Sequence, residues 1–219
     1  MRTGSRAMLR YVATLLFAFS AVALGAAENL SKVNGGIRVD PGRIVGDVSS
    51  VNGSITIGAG SSAREVKTVN GSVRVDEKGT VESAGTVNGA ITLAEKVQVR
   101  DDVETVNGEI RLREGSRVGG QLSNVNGALK LYGARVDAGI ETVNGDVLVG
   151  AGSRVEGGIQ VLKSRGWSRN KDPDKPRVTI ESGAVVNGTL RFEREVDLYL
   201  GSGVTLGAIE GVQPQRHSL

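Results

Sequence analysis

Cysteine is absent from this 219-residue chain, and histidine occurs once, at His217 close to the C-terminus. With no thiol there is no disulfide, no thiolate metal site and no cysteine nucleophile. A single terminal histidine leaves no Ser-His-Asp or Cys-His pair to assemble and no multi-histidine metal site. Aromatic residues make up only 3% of the chain. Tyr11, Phe17 and Phe19 lie near the N-terminus, so the remainder holds only Tyr132, Trp167, Phe192 and Tyr199, a thin supply for stacked sugar subsites. No apolar run reaches the roughly 20 residues that a membrane-spanning helix needs.

The N-terminus places Arg2, Arg6 and Arg10 ahead of an uncharged run from Tyr11 to Leu24, followed by Gly25, Ala26 and Ala27. This layout predicts a secretory signal peptide over residues 1–27, cleaved near Ala26 or Ala27, with no cysteine after it to carry a lipid anchor. The expected product is exported, to a bacterial periplasm or to the cell surface or medium, with no transmembrane segment after cleavage. Three of the 27 basic residues belong to this leader, leaving 24 against 24 acidic residues. The basic pI therefore belongs largely to the leader and gives no reason to expect a nucleic-acid partner.

Self-similarity is the dominant signal. Val-Asn-Gly begins at Val33, Val51, Val69, Val87, Val106, Val125 and Val143, with successive spacings of 18, 18, 18, 19, 19 and 18 residues, and an eighth copy begins at Val186. Each copy is followed by an alternating segment such as SITI, SVRV or EIRL, which marks a strand with one buried face. Further aliphatic pairs recur per repeat: Ile44 and Val48, Val97 and Val103, Val118 and Leu122, Val136 and Ile140. A period of about 18 residues is too short for a propeller blade or a helical repeat. The expected fold is all-β: a single-domain parallel β-helix over residues 28–212, with about three short strands per 18-residue coil. One coil cannot bury enough apolar surface to stand alone, so stability is a nearest-neighbour sum over the stack.

The Asn-Gly pair predicts a corner, because both residues tolerate left-handed backbone. Recurrence at a fixed period predicts a ladder of stacked amides formed by Asn34, Asn52, Asn70, Asn88, Asn107, Asn126, Asn144 and Asn187. The alternative is a plain exposed turn without side-chain stacking. Between Val161 and Val178 the periodicity breaks in LKSRGWSRNKDPDKPR, which predicts a basic loop insertion over 163–177. Its candidate binding residues are Arg165, Trp167, Arg169 and Lys171, an indole among cations that suits a sugar, a lipid headgroup or a protein. Residues 213–219 lose all periodicity and are expected to be disordered.

The central residue of each strand after the Asn-Gly forms an outward column: Arg38, Thr56, Arg74, Thr92, Arg111, Lys130, Leu148 and Arg191. Arg38, Arg74, Arg111 and Lys130 are candidate contacts for an acidic polysaccharide, although Asp40, Asp76, Glu109 and Asp146 stand beside them. The carboxylates Asp76, Glu77, Asp101, Asp102 and Glu104 could meet on one face as a pair for acid–base catalysis, and solvated corner charge is their simpler reading. The calcium-binding solenoid signature lacks its aspartate here. No cofactor, metal or catalytic residue is expected.

The repeated [Ser/Thr]-Val-Asn-Gly-x-[Ile/Val]-x-[Ile/Val], as in SSVNGSITI, KTVNGSVRV, GTVNGAITL, ETVNGEIRL and ETVNGDVLV, resembles the bacterial β-helical adhesin-like family, whose function is uncharacterised. The resemblance covers nearly all of the chain after the leader and implies a solenoid in an exported or envelope-associated protein, with no catalytic residues. The chain is also similar to polymer-forming bactofilin-type solenoids, but these are cytoplasmic, which conflicts with the leader. The reading is a non-enzymatic, adhesin-like solenoid presenting rigid faces and a basic loop to envelope polysaccharide or a protein. The alternatives are a scaffold that self-associates through its terminal coils and a small β-helix polysaccharide lyase or hydrolase.

Overall fold

A computed structural model describes residues 27–163 and 175–218. The leader up to residue 26 and the candidate residues Arg165, Trp167, Arg169 and Lys171 lie outside the described residues.

The described chain is all-β and coils into a parallel solenoid of 26 strands, from Leu30–Asn34 (β1) to Gln215–Ser218 (β26). Every strand pairing is parallel, and partners are one coil apart, as in Ile55↔Val73 and Val73↔Ile91. One face is a ten-stranded sheet with one strand from each of ten coils. A sixteen-stranded sheet supplies the other two faces. Ser62–Asn70 (β5) and Thr80–Asn88 (β7) bend through the corner between those two faces as single nine-residue strands.

Alternation sends every second side chain inward, and the one-coil register piles like on like. On the ten-stranded sheet one inward file is Ile37, Ile55, Val73, Ile91, Ile110, Leu129, Val147, Val178 and Leu198. The facing file is Leu30, Val48, Val66, Ala84, Val103, Leu122, Ile140, Ile159, Leu190 and Ile209. The third face contributes Ala63, Val81, Val99, Val118, Val136, Val155 and Val186. All but the terminal members of these files are buried. Successive coils are about 4.8 Å apart, so each aliphatic packs on its counterpart above and below. In the first coil the buried residue of the third face is Val45, whereas Ile44 is 73% exposed. The expected pairing of Ile44 with Val48 is one residue out of phase there.

The 19-residue periods have a local cause. Two residues separate the inward Val81 and Ala84, but three separate their partners one coil on, Val99 and Val103. The added residue falls at the corner between the two faces of the large sheet, at Asp101–Asp102, and the four coils that follow keep three residues there.

The Asn-Gly corner is not the left-handed one. No motif asparagine has positive φ, and among the motif glycines only Gly35 and Gly127 do. The left-handed position is instead the turn that follows each strand of the ten-stranded sheet, occupied by Gly42, Gly60, Lys78, Lys96, Gly115, Gly133, Gly152, Gly183 and Gly203. The motif glycines after Gly35 are required by crowding: a Cβ on Gly89 would lie 2.0 Å from the carbonyl oxygen of Gly71, and one on Gly108 would lie 1.9 Å from that of Gly89.

Where a disordered tail was expected, β26 pairs in parallel with Asp197–Leu200 (β23) and closes the ten-stranded sheet at its C-terminal edge. All four of its residues are exposed, so no apolar alternation marks it in the sequence. The insertion is also narrower than expected at its C-terminal side, because Arg177–Ile180 (β20) already belongs to the sheet.

Candidate functional site

Seven of the eight motif asparagines form the expected ladder. From Asn52 to Asn144 each Nδ2 donates to the Oδ1 of the asparagine one coil before it, at 2.8–3.1 Å. Beneath it runs a second file that explains the Ser or Thr preceding most Val-Asn-Gly copies. Ser50, Thr68, Thr86 and Thr105 point inward, are nearly fully buried, and donate their hydroxyls to the carbonyls of Gly35, Gly53, Gly71 and Gly89. The N–H groups of those glycines in turn donate to the carbonyls of Asn52, Asn70, Asn88 and Asn107. Each corner thus accounts for its own backbone polar groups.

Asn187 is not a rung. Val186 pairs with Val155, which places Asn187 over Glu156, to which its Nδ2 donates at 2.5 Å. The eighth Val-Asn-Gly therefore turns a different corner, between the two faces of the large sheet. Arg191, the last member of the expected basic column, moves with it: it pairs with Gln160 in the large sheet and forms an ion pair with Glu210.

At the ladder corner the coil after Asn144 carries the insertion instead of an asparagine, and the next coil carries Arg194. Arg194 is buried, and its Nη1 donates to Asn144 Oδ1 at 2.6 Å and to the Val143 carbonyl at 3.2 Å. It spans the interrupted coil and satisfies the last acceptor of the ladder. The feet of the insertion are held in three places: Lys163 N donates to Glu193 Oε2 at 3.2 Å, Lys175 Nζ pairs with Glu195 Oε2 at 2.9 Å, and Arg177 N donates to Asp146 Oδ1 at 2.8 Å. Register is kept beneath it, with Val149 opposite Ile180 and Ile159 opposite Leu190.

The basic column exists from Arg38 through Lys130 and continues as Leu148, Thr179, Tyr199 and His217. Its cations are largely occupied. Arg74 pairs with Asp76 at 2.6 Å, and Arg111 and Lys130 both pair with Glu109. Burial acts to raise the Glu109 carboxyl, but the bond from Lys130 and the charges of Lys130 and Arg111 outweigh it and hold that group below its ordinary range. Arg38 alone of the four candidates has no ion-pair partner among the described residues. On the third face, a run the sequence reading missed links Arg117, Asp137, Arg135 and Glu156 at 2.6–2.9 Å. Its signal was present in the recurring Arg-Val-Asp and Arg-Val-Glu.

The carboxylates divide between two places. Asp76 and Glu77 line a shallow concavity with Arg74 and Arg113. Asp101, Asp102 and Glu104 meet Glu65, Lys67 and Arg100 around a groove of about 430 Å³ at the widened corner of the large sheet. Lys67 and Glu104 flank Gly85 on the outward file, their side chains 3.6 and 3.8 Å from where a Cβ on Gly85 would stand. Burial raises the Glu104 carboxyl, the Lys67 charge opposes this, and Asp102 and Glu65 reinforce it. Further along the same outward file, Glu141 is only 7% exposed, and burial raises its carboxyl against a bond from Gln121. Asp102 is committed to structure, since its Oδ1 accepts the Gln121 N–H at 2.7 Å. The groove lining holds no aromatic residue. Among the described residues no group of three acidic or histidine side chains could hold a metal ion, and no helix is long and apolar enough to cross a membrane. The chain matches no protein-family model, no curated protein and no solved structure.

Proposed function

We propose that this chain is an exported, non-enzymatic β-solenoid that holds its basic insertion on a rigid rod for contact with an acidic envelope polysaccharide. The observation that carries this reading is the clamping of the insertion's feet by Glu193, Glu195 and Asp146, while the coils beneath keep their register. A segment anchored at both ends on a continuous stack is presented without any cost to the core. Arg74, Arg111 and Lys130 of the ten-stranded face are engaged by neighbouring carboxylates, which shifts the binding role from them to Arg165, Trp167, Arg169 and Lys171. Strand β26 ends the ten-stranded sheet with exposed polar residues, Arg216 among them, which disfavours strand addition at that edge.

The test is binding of the leader-free chain to an array of acidic glycans, repeated with Trp167→Ala and Arg169→Ala. Binding that falls several-fold in both variants, and that weakens with salt, supports the reading. Binding unchanged in both removes the insertion from it. A hydrolase or lyase is favoured by one observation, the raised carboxyl of Glu104 in the groove. Sugar released from an acidic polysaccharide by the native chain and not by Glu104→Gln would replace the binding module with that enzyme.

A further inference from the structure

We propose that Asn187 is a site of covalent self-modification, at which the chain converts this one asparagine to an aspartyl or isoaspartyl residue while sparing the seven ladder asparagines. The chemistry is intramolecular and needs only water. The backbone nitrogen of the following glycine attacks the side-chain Cγ of the asparagine. A C–N bond forms, the nitrogen gives up its proton to a base, and the Cγ–Nδ2 bond breaks as ammonia leaves with a proton. The cyclic imide that results is opened by water at either carbonyl, giving aspartate or isoaspartate. A following glycine favours ring closure because it brings no side chain to hinder the approach. All eight motif copies satisfy that sequence condition, so structure decides among them.

Two locks oppose the attack. The glycine N–H can be committed to another acceptor, and the asparagine amide can be held by partners on both its oxygen and its nitrogen. Asn52, Asn70, Asn88 and Asn107 carry both: Gly53, Gly71, Gly89 and Gly108 donate to the next coil at 3.0–3.1 Å, and each amide sits between two rungs. Asn34 has a committed Gly35 N–H and an oxygen held by Asn52. Asn126 keeps its amide between Asn107 and Asn144. Asn144 is held by Asn126 and Arg194, and the Gly145 N–H donates to Thr142 Oγ1 at 2.8 Å.

Asn187 has neither lock complete. Among the described residues nothing donates to its Oδ1, and the Gly188 N–H has no acceptor. The residue above it is Gly207, whose N–H goes to the Val186 carbonyl and which has no side chain to clamp the amide. Asn187 is exposed, so water reaches the imide. Its sole side-chain partner is Glu156, whose Oε2 lies 2.5 Å from Nδ2. That carboxylate accepts from the leaving nitrogen and holds the amide from one side only. After conversion a carboxylate faces Glu156 in place of a donor, and like charges at that distance repel, loosening the corner of the last three coils.

The experiment incubates the folded, leader-free chain at mildly alkaline pH and follows every Asn-Gly peptide by mass spectrometry, with isoaspartate resolved chromatographically. The Asn187 peptide is expected to convert at least about tenfold faster than any ladder peptide, a difference of roughly 1.4 kcal/mol in barrier. In denaturant the eight rates are expected to converge. Conversion of Asn187 no faster than that of the ladder asparagines overturns the proposal. So does a preference for Asn187 that persists in denaturant, because the selectivity would then belong to local sequence. Replacing Asn187 with Gln is expected to remove the fast phase and leave the slower ladder conversion unchanged.

Discussion

The coils from Asn34 to Asn144 and the coils after the insertion share a core, yet they handle the same tripeptide in opposite ways. In the first region every Val-Asn-Gly falls at one corner, so amides, hydroxyls and glycine carbonyls repeat into continuous files. In the second the tripeptide falls at another corner, Phe192 occupies the place of a buried hydroxyl, and Arg194 takes the place of an asparagine. The motif has no fixed meaning by itself. Its role is set by the coil register, because only a side chain with a like neighbour above and below can exchange hydrogen bonds along the axis.

The sharpest way to break the contrast is at the ladder glycines. Gly89→Ala places a methyl 2.0 Å from the Gly71 carbonyl oxygen, with backbone on both sides. It is expected to destabilise the fold by roughly 3 kcal/mol, the upper end of the overpacking range. Gly85→Ala in the same coil meets nothing closer than 3.6 Å and is expected to stay within about 0.5 kcal/mol of the native chain. Denaturant melts of the two variants decide this; equal losses would mean that the corner is no more crowded than the face.

A smaller effect separates the two classes of asparagine. Asn88→Ala removes a rung and leaves the Asn107 donor and the Asn70 acceptor unpaired, at a cost of about 1–2 kcal/mol. Asn187→Ala gives up one exposed bond to Glu156, and about 0.5 kcal/mol is expected. Thermal melts showing the same shift for both would refute the ladder as a source of stability.

The smallest effect is in the pH dependence. The Glu104 and Glu141 carboxyls are raised in the folded chain, so they favour folding in their protonated form, and that contribution is lost as pH rises through their folded values. The Glu109 and Asp137 carboxyls are lowered: burial opposes this, but bonds from Lys130 to Glu109 and from Arg135 and Arg117 to Asp137 outweigh it. Their contribution is present above the ordinary carboxylate range and is lost as pH falls through their folded values. Melting temperature is therefore expected to peak at mildly acidic pH. The double variant Glu104→Gln with Glu141→Gln flattens the neutral side of that peak and leaves the acid side in place; an unchanged neutral side would refute the assignment.

Much of this architecture was legible in the sequence. The period gave the solenoid, and alternation in segments such as SITI and EIRL identified the buried residues. The seven regular asparagines could be placed because their spacing alone aligns them. Asn187 could not be placed, since the break between Val161 and Val178 erases the phase and a tripeptide does not say which corner it turns. The left-handed turn was assigned to the wrong corner for a related reason. Glycine serves both positive φ and close backbone approach, and only coordinates separate the two uses. Strand β26 was invisible because Gln215, Arg216, His217 and Ser218 are all exposed and none is aliphatic, although the His217 ring stacks on Tyr199 at 4.5 Å. The carboxylate groove was not separated from other corner charge in the sequence because Glu65 and Lys67 meet Asp102 and Glu104 only when coils of different corner widths are stacked.

The reach of Arg194 across the interrupted coil has a consequence for inheritance and for engineering. Because that guanidinium joins the coils on either side, the described turns are tied to one another at this corner without an asparagine in the coil that carries the insertion. An interruption of the repeat is thus tolerated as long as a longer side chain, two turns on, reaches back to the axle.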